Sequence, residues 1–107
     1  MNGYAAQAYQ AANTYKKEQL MNLSPVEVIQ KLFDITIVSL KKNDVGRAQR
    51  ALNELIVGLN FEAGDMAMQL YQIYDFCKRA IRKGEIDVTI GLLEELRSAW
   101  AQAFKLN

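Results

Sequence analysis

Hydrophobic residues along most of the chain recur at steps of three and four, the spacing that places side chains on one face of an α-helix. The pattern begins after position 23 and falls into four segments separated by short polar turns. Ser24-Pro25-Val26-Glu27 predicts the first helix start, because Ser24 and Glu27 form a capping box and Pro25 loses no hydrogen bond at the first helical position. The pattern therefore predicts an all-α fold.

Each segment carries its own apolar stripe and its own stop signal. Helix 1 is expected to end near Lys41-Lys42, helix 2 to fade at Gly58 and helix 3 to stop at Gly84, with Asp87 as the cap of helix 4. The stripes are Ile29, Leu32, Phe33, Ile37 and Leu40; Val45, Ala48, Leu52, Leu55, Ile56 and Leu59; Met66, Leu70, Ile73, Cys77, Ala80 and Ile81; and Ile86, Ile90, Leu93, Leu96, Trp100 and Phe104. Four amphipathic helices joined by short turns predict an antiparallel four-helix bundle.

Residues 1–23 do not continue this pattern. They are rich in Ala, Gln and Asn and carry Tyr4, Tyr9 and Tyr15. We expect a loosely ordered N-terminal segment, which either lies over an apolar groove or is a frayed end. Residues 24–107 are expected to form the bundle as a single domain.

Charge narrows the possible partners. Thirteen Lys and Arg against twelve Asp and Glu give a net charge of +1, which disfavours nucleic-acid binding. A helix-turn-helix regulator would depend on Arg47, Gln49 and Arg50, beside apolar residues that the core needs. Neither a signal peptide nor a stretch long and apolar enough to span a membrane is present, so we expect a cytoplasmic protein.

The chain lacks the residues that most catalytic sites use. It has no histidine and no glycine-rich phosphate loop, so we predict no catalytic residue, no metal site and no cofactor. Glu94 and Glu95 are neighbours whose side chains point about 100° apart on a helix, which favours a solvated face over an acid–base pair. The single cysteine, Cys77, lies on an inward stripe and is expected to be buried. These features indicate a binding protein rather than an enzyme.

Several apolar residues lie off the inward stripes. These are Val28 and Ile35 in helix 1 and Tyr71, Tyr74 and Phe76 in helix 3. A small bundle cannot bury all of them, and surplus apolar surface is typically covered by another segment or bound by a partner.

A series of short motifs runs along nearly the whole chain: Tyr4-Ala5-Ala6 with Tyr9, Leu23-Ser24-Pro25, Leu32-Phe33-Asp34, Leu59 with Gly64, Leu70 followed by Ile73-Tyr74-Asp75-Phe76, and Ala99-Trp100. In this order the motifs resemble those of the flagellar secretion chaperone family FliS. The resemblance implies a cytosolic four-helix chaperone that holds the disordered C-terminal segment of flagellin until export. It also implies flagellin as the partner, with the flagellar export gate as a further candidate.

We expect the client to bind the surface of helices 2 and 3. The predicted contacts are Ile56, Leu59, Tyr71, Tyr74 and Phe76, with Tyr4, Tyr9 and Tyr15 capping the groove when it is empty. A helical self-association domain, which would use the same surplus surface to bind a second copy, is the alternative. The sequence leaves open whether the protein is a monomer or a homodimer.

Overall fold

The computed structural model of the chain describes residues 23–107, which form four α-helices and no strand. The helices are α1 (Pro25–Lys41), α2 (Val45–Val57), α3 (Asp65–Arg82) and α4 (Ile86–Phe104), with a short 3-10 turn at Phe61–Ala63 between α2 and α3. Successive helices pack against each other, and α1 also packs against α4. The predicted all-α fold is confirmed. Tyr4, Tyr9 and Tyr15 lie outside the described residues.

Two of the four helices begin directly after a residue whose side chain caps the helix. Ser24 Oγ accepts a hydrogen bond from the Glu27 backbone N–H at 3.3 Å, and the Ser24 N–H donates to Glu27 Oε1 at 3.1 Å. Hydrogen bonds from the Ser24 side chain and backbone lower the pKa of Glu27. Asp44 Oδ1 caps α2 by accepting from the Arg47 N–H at 3.1 Å. The capping box predicted for helix 1 is confirmed.

The prediction of Asp87 as the cap of helix 4 is wrong. The helix begins at Ile86, its N-cap is Glu85, and no side chain caps it. Asp87 lies in the first turn instead, where its negative charge stabilises the helix by interacting with the positive end of the helix dipole. The turn before it contains Gly84 at φ +80, a left-handed conformation that glycine adopts without steric cost.

The core is built around Phe33, which is fully buried. Its ring centroid lies 6.3 Å from that of Tyr74 and 5.9 Å from that of Trp100, so one side chain joins α1, α3 and α4. Leu40, Leu52, Leu55, Cys77 and Leu93 are also buried at 1% exposure or less. The predicted inward stripes of all four helices therefore supply the core, but Val45 and Phe104, predicted to face inward at the ends of α2 and α4, are 39% and 44% exposed.

Two residues of α3 do not lie where the stripe predicts. Tyr74 was expected to be surplus to the core, but it is only 1% exposed. It lies four positions after Leu70 and three before Cys77, and because α3 packs against both α2 and α4 its buried face is wide enough to include this position. Met66, predicted to face inward, is 66% exposed; it is the second residue of α3.

Candidate functional site

An apolar groove of about 160 Å³ lies where the end of α2 faces the start of α3. All four helices contribute to its lining, which includes Ile29, Leu55, Leu59, Leu70, Tyr74 and Trp100. Leucine, isoleucine and aromatic side chains dominate this surface, so it is suited to apolar groups rather than to ions.

Two small residues, Gly58 and Ala67, belong to the walls of the groove. The chain then turns sharply between the two walls, and Asn60 Oδ1 orders this turn by accepting a hydrogen bond from the Glu62 N–H at 3.0 Å. Gly64 follows at φ +90, a conformation that non-glycine residues rarely adopt, and α3 begins at the next residue.

The floor of the groove is a fixed aromatic cluster. The indole N–H of Trp100 donates to the carbonyl of Val26 at 2.8 Å, which holds the ring against the start of α1. The same ring packs edge-on against Phe33 and lies 4.7 Å from Phe104, centroid to centroid. Trp100 was predicted to lie in the core seam, and it is partly buried and packed against the core. A segment entering the groove therefore meets a floor that is already in place.

Exposed apolar side chains line the groove or directly follow residues that line it. Phe61 in the 3-10 turn and Tyr71 on α3 are both exposed, and their rings pack edge to face with centroids 6.1 Å apart. Met66 lines the groove while remaining mostly exposed. Contiguous exposed apolar surface of this kind is typical of binding sites. The sequence analysis missed Phe61 and the exposed position of Met66, although an aromatic residue in a polar turn is a signal that could have identified Phe61.

The structure brings together three of the five predicted client contacts. Leu59 and Tyr74 line the groove. Tyr71 lies three positions before Tyr74, about 60° around the helix, beside Phe61. Ile56 is partly buried and packs against the core without lining the groove. Phe76 lies two positions after Tyr74, about 200° around α3, and so faces away from the groove.

The size of the groove limits its occupant. Pockets that enclose small-molecule ligands typically measure roughly 300–1,000 Å³. A space of about 160 Å³ is smaller and fits one or two apolar side chains. Among residues 23–107, no three acidic or cysteine side chains lie close enough together to hold a metal ion. The geometry favours anchor side chains of a protein segment.

A second groove, of about 580 Å³, lies between α1 and α4 and is more polar. Four of its five charged residues pair with one another; the fifth, Lys105, forms no ion pair within residues 23–107. Arg97 forms an ion pair with Asp34, a hydrogen bond that raises the pKa of Arg97, and Lys41 Nζ lies 3.5 Å from Glu94 Oε2. Because these ion pairs are partly exposed, each contributes little to stability, and the paired groups are less available to a charged ligand.

Cys77 is fully buried, as predicted, and lies three positions after Tyr74 on α3. Burial raises the pKa of Cys77 to about 11 and also raises the pKa of Tyr74. A thiol in this environment stays protonated at neutral pH and is a poor nucleophile.

These raised pKa values predict a loss of stability in alkali. The folded protein holds the Cys77 proton more tightly than the unfolded chain, so this stabilisation is complete below about pH 9 and is lost as the pH rises through about 11. We expect Cys77→Val to reduce the decrease in the free energy of unfolding across that interval, as measured by urea titration at several pH values. An unchanged pH dependence in the variant would show that Cys77 does not contribute.

No helix among residues 23–107 has the length and apolar composition needed to span a bilayer. A sequence model of one family, described as flagellar protein FliS, matches residues 37–107, which is 71 of the 107 residues. The chain belongs to the FliS family. No curated protein and no solved structure matches the chain. FliS proteins are flagellar chaperones and not enzymes.

The groove lies almost entirely within the part of the chain that matches FliS. Of its lining residues, only Ile29 precedes position 37. Both walls, formed by α2 and α3, and the Trp100 floor belong to the matched region. The family assignment and the groove therefore concern the same residues.

Proposed function

We propose that this FliS-family protein is an export chaperone that binds the disordered C-terminal segment of flagellin in the cytoplasm and prevents premature polymerisation before secretion. The observation that supports this most strongly is the apolar groove between α2 and α3, with its exposed aromatic and methionine rim, in a chain of a flagellar chaperone family. Delivery of the bound flagellin to the flagellar export gate would follow.

The physical basis is helix-in-groove recognition. A filament subunit's terminal segment must bury an apolar face when subunits assemble, and covering that face in the chaperone blocks assembly. Such segments present anchors at steps of three and four residues. Coupled folding and binding typically buries roughly 1,000–3,000 Å² of surface. Ordering the segment costs about 2–5 kcal/mol of the interaction free energy. The aromatic floor held by the Trp100 hydrogen bond lowers the corresponding cost on the chaperone side.

The groove supplies the central anchor site in this proposal. Leu59 and Tyr74 would contact the side chain that enters it, and Tyr71 with Phe61 would cover the flanking turn of the client helix. Ile56 and Phe76 would contact only a longer segment that extends along α2 or around α3, because neither lines the groove. Residues near the groove would then contribute most of the binding free energy, and the rest of the α2 and α3 surface would contribute little.

Co-purification with the flagellin encoded in the same genome tests the proposal. We expect full-length flagellin to elute with the chaperone as a one-to-one complex, and flagellin lacking its C-terminal segment not to do so. Equal capture of both forms would place the binding site elsewhere on flagellin and contradict the proposal.

The predicted leader provides a second prediction. We expect residues 1–15, through Tyr4, Tyr9 and Tyr15, to cover the apolar groove in the free protein and to leave it when client binds. Deletion of residues 1–15 should then increase binding of a dye that reports exposed apolar surface and tighten client binding, because competition is removed. If dye binding and client affinity are both unchanged, the leader is a frayed end.

Self-association is the competing function, and one observation favours it. Phe76 is 42% exposed on the face of α3 that points away from the groove, where a second copy could pack in a symmetric interface. Sedimentation velocity of the native chain and of Phe76→Ala distinguishes the two. A dimer that the substitution dissociates, together with no flagellin binding, would replace the chaperone proposal.

A further inference from the structure

Charge is distributed unevenly along the groove-forming part of the chain. Positions 51–77 contain Glu54, Glu62, Asp65 and Asp75 but no Lys or Arg. This stretch includes most of α2, the 3-10 turn and the first half of α3, which together form both walls of the groove. Asp75 Oδ2 pairs with Arg79 Nε at 3.1 Å, and the other three acids are exposed and form no salt bridge within residues 23–107.

Each of these three acids lies within four positions of a residue that lines the groove. Glu54 lies four positions before Gly58, on the same face of α2. Glu62 belongs to the turn that connects the two walls, and Asp65 directly precedes Met66. We call Glu54, Glu62 and Asp65 the acidic rim.

Positive charge is concentrated at the other end of the bundle. The last turns of α3 and the turn after it carry Lys78, Arg79, Arg82 and Lys83, and the turn between α1 and α2 carries further cations. Because α2 runs away from that end and α3 returns to it, both groups lie opposite the groove. On α1, Lys31 lies two positions after the lining residue Ile29, about 200° around the helix. Lys105, at the end of α4, lines the second groove between α1 and α4. No Lys or Arg of residues 23–107 forms a salt bridge with the acidic rim.

We propose that the acidic rim selects client segments that carry Lys or Arg beside their apolar anchors. This inference rests on the proposed function and adds the chemistry of the client. Complementary charges around an apolar contact raise the association rate and disfavour partners of like charge. At physiological ionic strength the screening length is about 8 Å, so rim charges act on a client already close to the groove. Cationic apolar segments bind, and acidic segments with the same anchors are rejected.

The acidic rim also has a structural role, which the experiment must separate from client selection. Asp65 lies in the first turn of α3, where its charge also stabilises the helix. The chain offers a matched control, because Asp87 occupies the first turn of α4 in the same way, and Glu85 and Glu95 are exposed glutamates away from the groove. The triple variants Glu54→Gln/Glu62→Gln/Asp65→Asn and Glu85→Gln/Glu95→Gln/Asp87→Asn change the net charge equally.

The experiment measures binding of three peptides to the native chain and to both triple variants. Each peptide keeps the apolar residues of the C-terminal flagellin segment and carries only Lys, only Gln or only Glu at its other polar positions. In low salt we expect the Lys peptide to bind native chain about 10-fold more tightly than the Glu peptide. Neutralising the acidic rim should remove most of this preference and its salt dependence, while the control triple variant should retain both.

The outcomes separate the two proposals. Equal affinity of the native chain for all three peptides, at low and high salt, overturns charge selection and leaves flagellin binding in place. A preference that survives neutralisation of the rim, or that the control triple variant also loses, overturns the assignment to these three residues. If none of the three peptides binds, and the unmodified flagellin segment does not bind either, the proposed function fails and this inference fails with it.

Discussion

Replacement of Phe33 by alanine is expected to lower the free energy of unfolding by about 3–5 kcal/mol. Phe33 is fully buried, and its ring contacts Tyr74 on α3 and Trp100 on α4, so its removal leaves a cavity where three helices meet. Domains of this size are stable by only about 5–15 kcal/mol, and the loss would be a large part of the total. Urea denaturation followed by circular dichroism measures it.

The same chain supplies a matched control. Phe76→Ala removes the same side chain from a site that is 42% exposed and should cost less than about 1 kcal/mol. If Phe33→Ala is unfolded in buffer, Phe33→Leu, which retains most of the volume, should fold with a loss of about 1.5 kcal/mol or less. Equal losses for Phe33→Ala and Phe76→Ala would contradict the placement of the core.

The second large effect is expected on client binding. Leu59→Ala should weaken binding of the C-terminal flagellin segment by about 2 kcal/mol or more, the size typical of a hot spot, because Leu59 lines the groove and is only partly buried. Isothermal titration of the purified variant measures the change. Tyr74 is unsuitable for this test, since it is 1% exposed and its truncation would destabilise the fold.

Val57→Ala is the control for this prediction. Val57 ends α2 two positions before Leu59, is 79% exposed and does not line the groove. We expect Val57→Ala to change the affinity by less than about 0.5 kcal/mol. Equal effects of the two substitutions, with both variants folded, would mean that the client contacts the end of α2 generally and does not use the groove.

Helix positions were predictable because their signals are local. The capping box of Ser24 and Glu27 and the stop at Gly84 depend on residues within a few positions. In the structure, α1 starts directly after Ser24 and α3 ends two residues before Gly84. Asp87 was predicted wrongly as a cap because the N-cap position holds Glu85, which is not one of the preferred capping residues, whereas Asp87 is.

The groove was only partly predictable because it depends on contacts between distant residues. Leu59 was predicted as a client contact on the surface of helices 2 and 3, and it lines the groove. The burial of Tyr74 was missed, since a residue beside a single stripe becomes buried only when two helices flank it. The hydrogen bond from Trp100 to the Val26 carbonyl joins positions 74 residues apart, and no local pattern contains it. Phe61 was not predicted as part of the exposed apolar surface because it lies in a turn between polar residues.

The central claim is that the groove between α2 and α3 binds the C-terminal segment of flagellin. Calorimetric titration of that segment into the full chain tests it most directly, with Leu59→Ala and Val57→Ala measured alongside. We predict saturable one-to-one binding that Val57→Ala preserves and Leu59→Ala weakens about 30-fold or more. No detectable binding at high micromolar concentration, with the native chain shown by circular dichroism to be folded, would contradict the account.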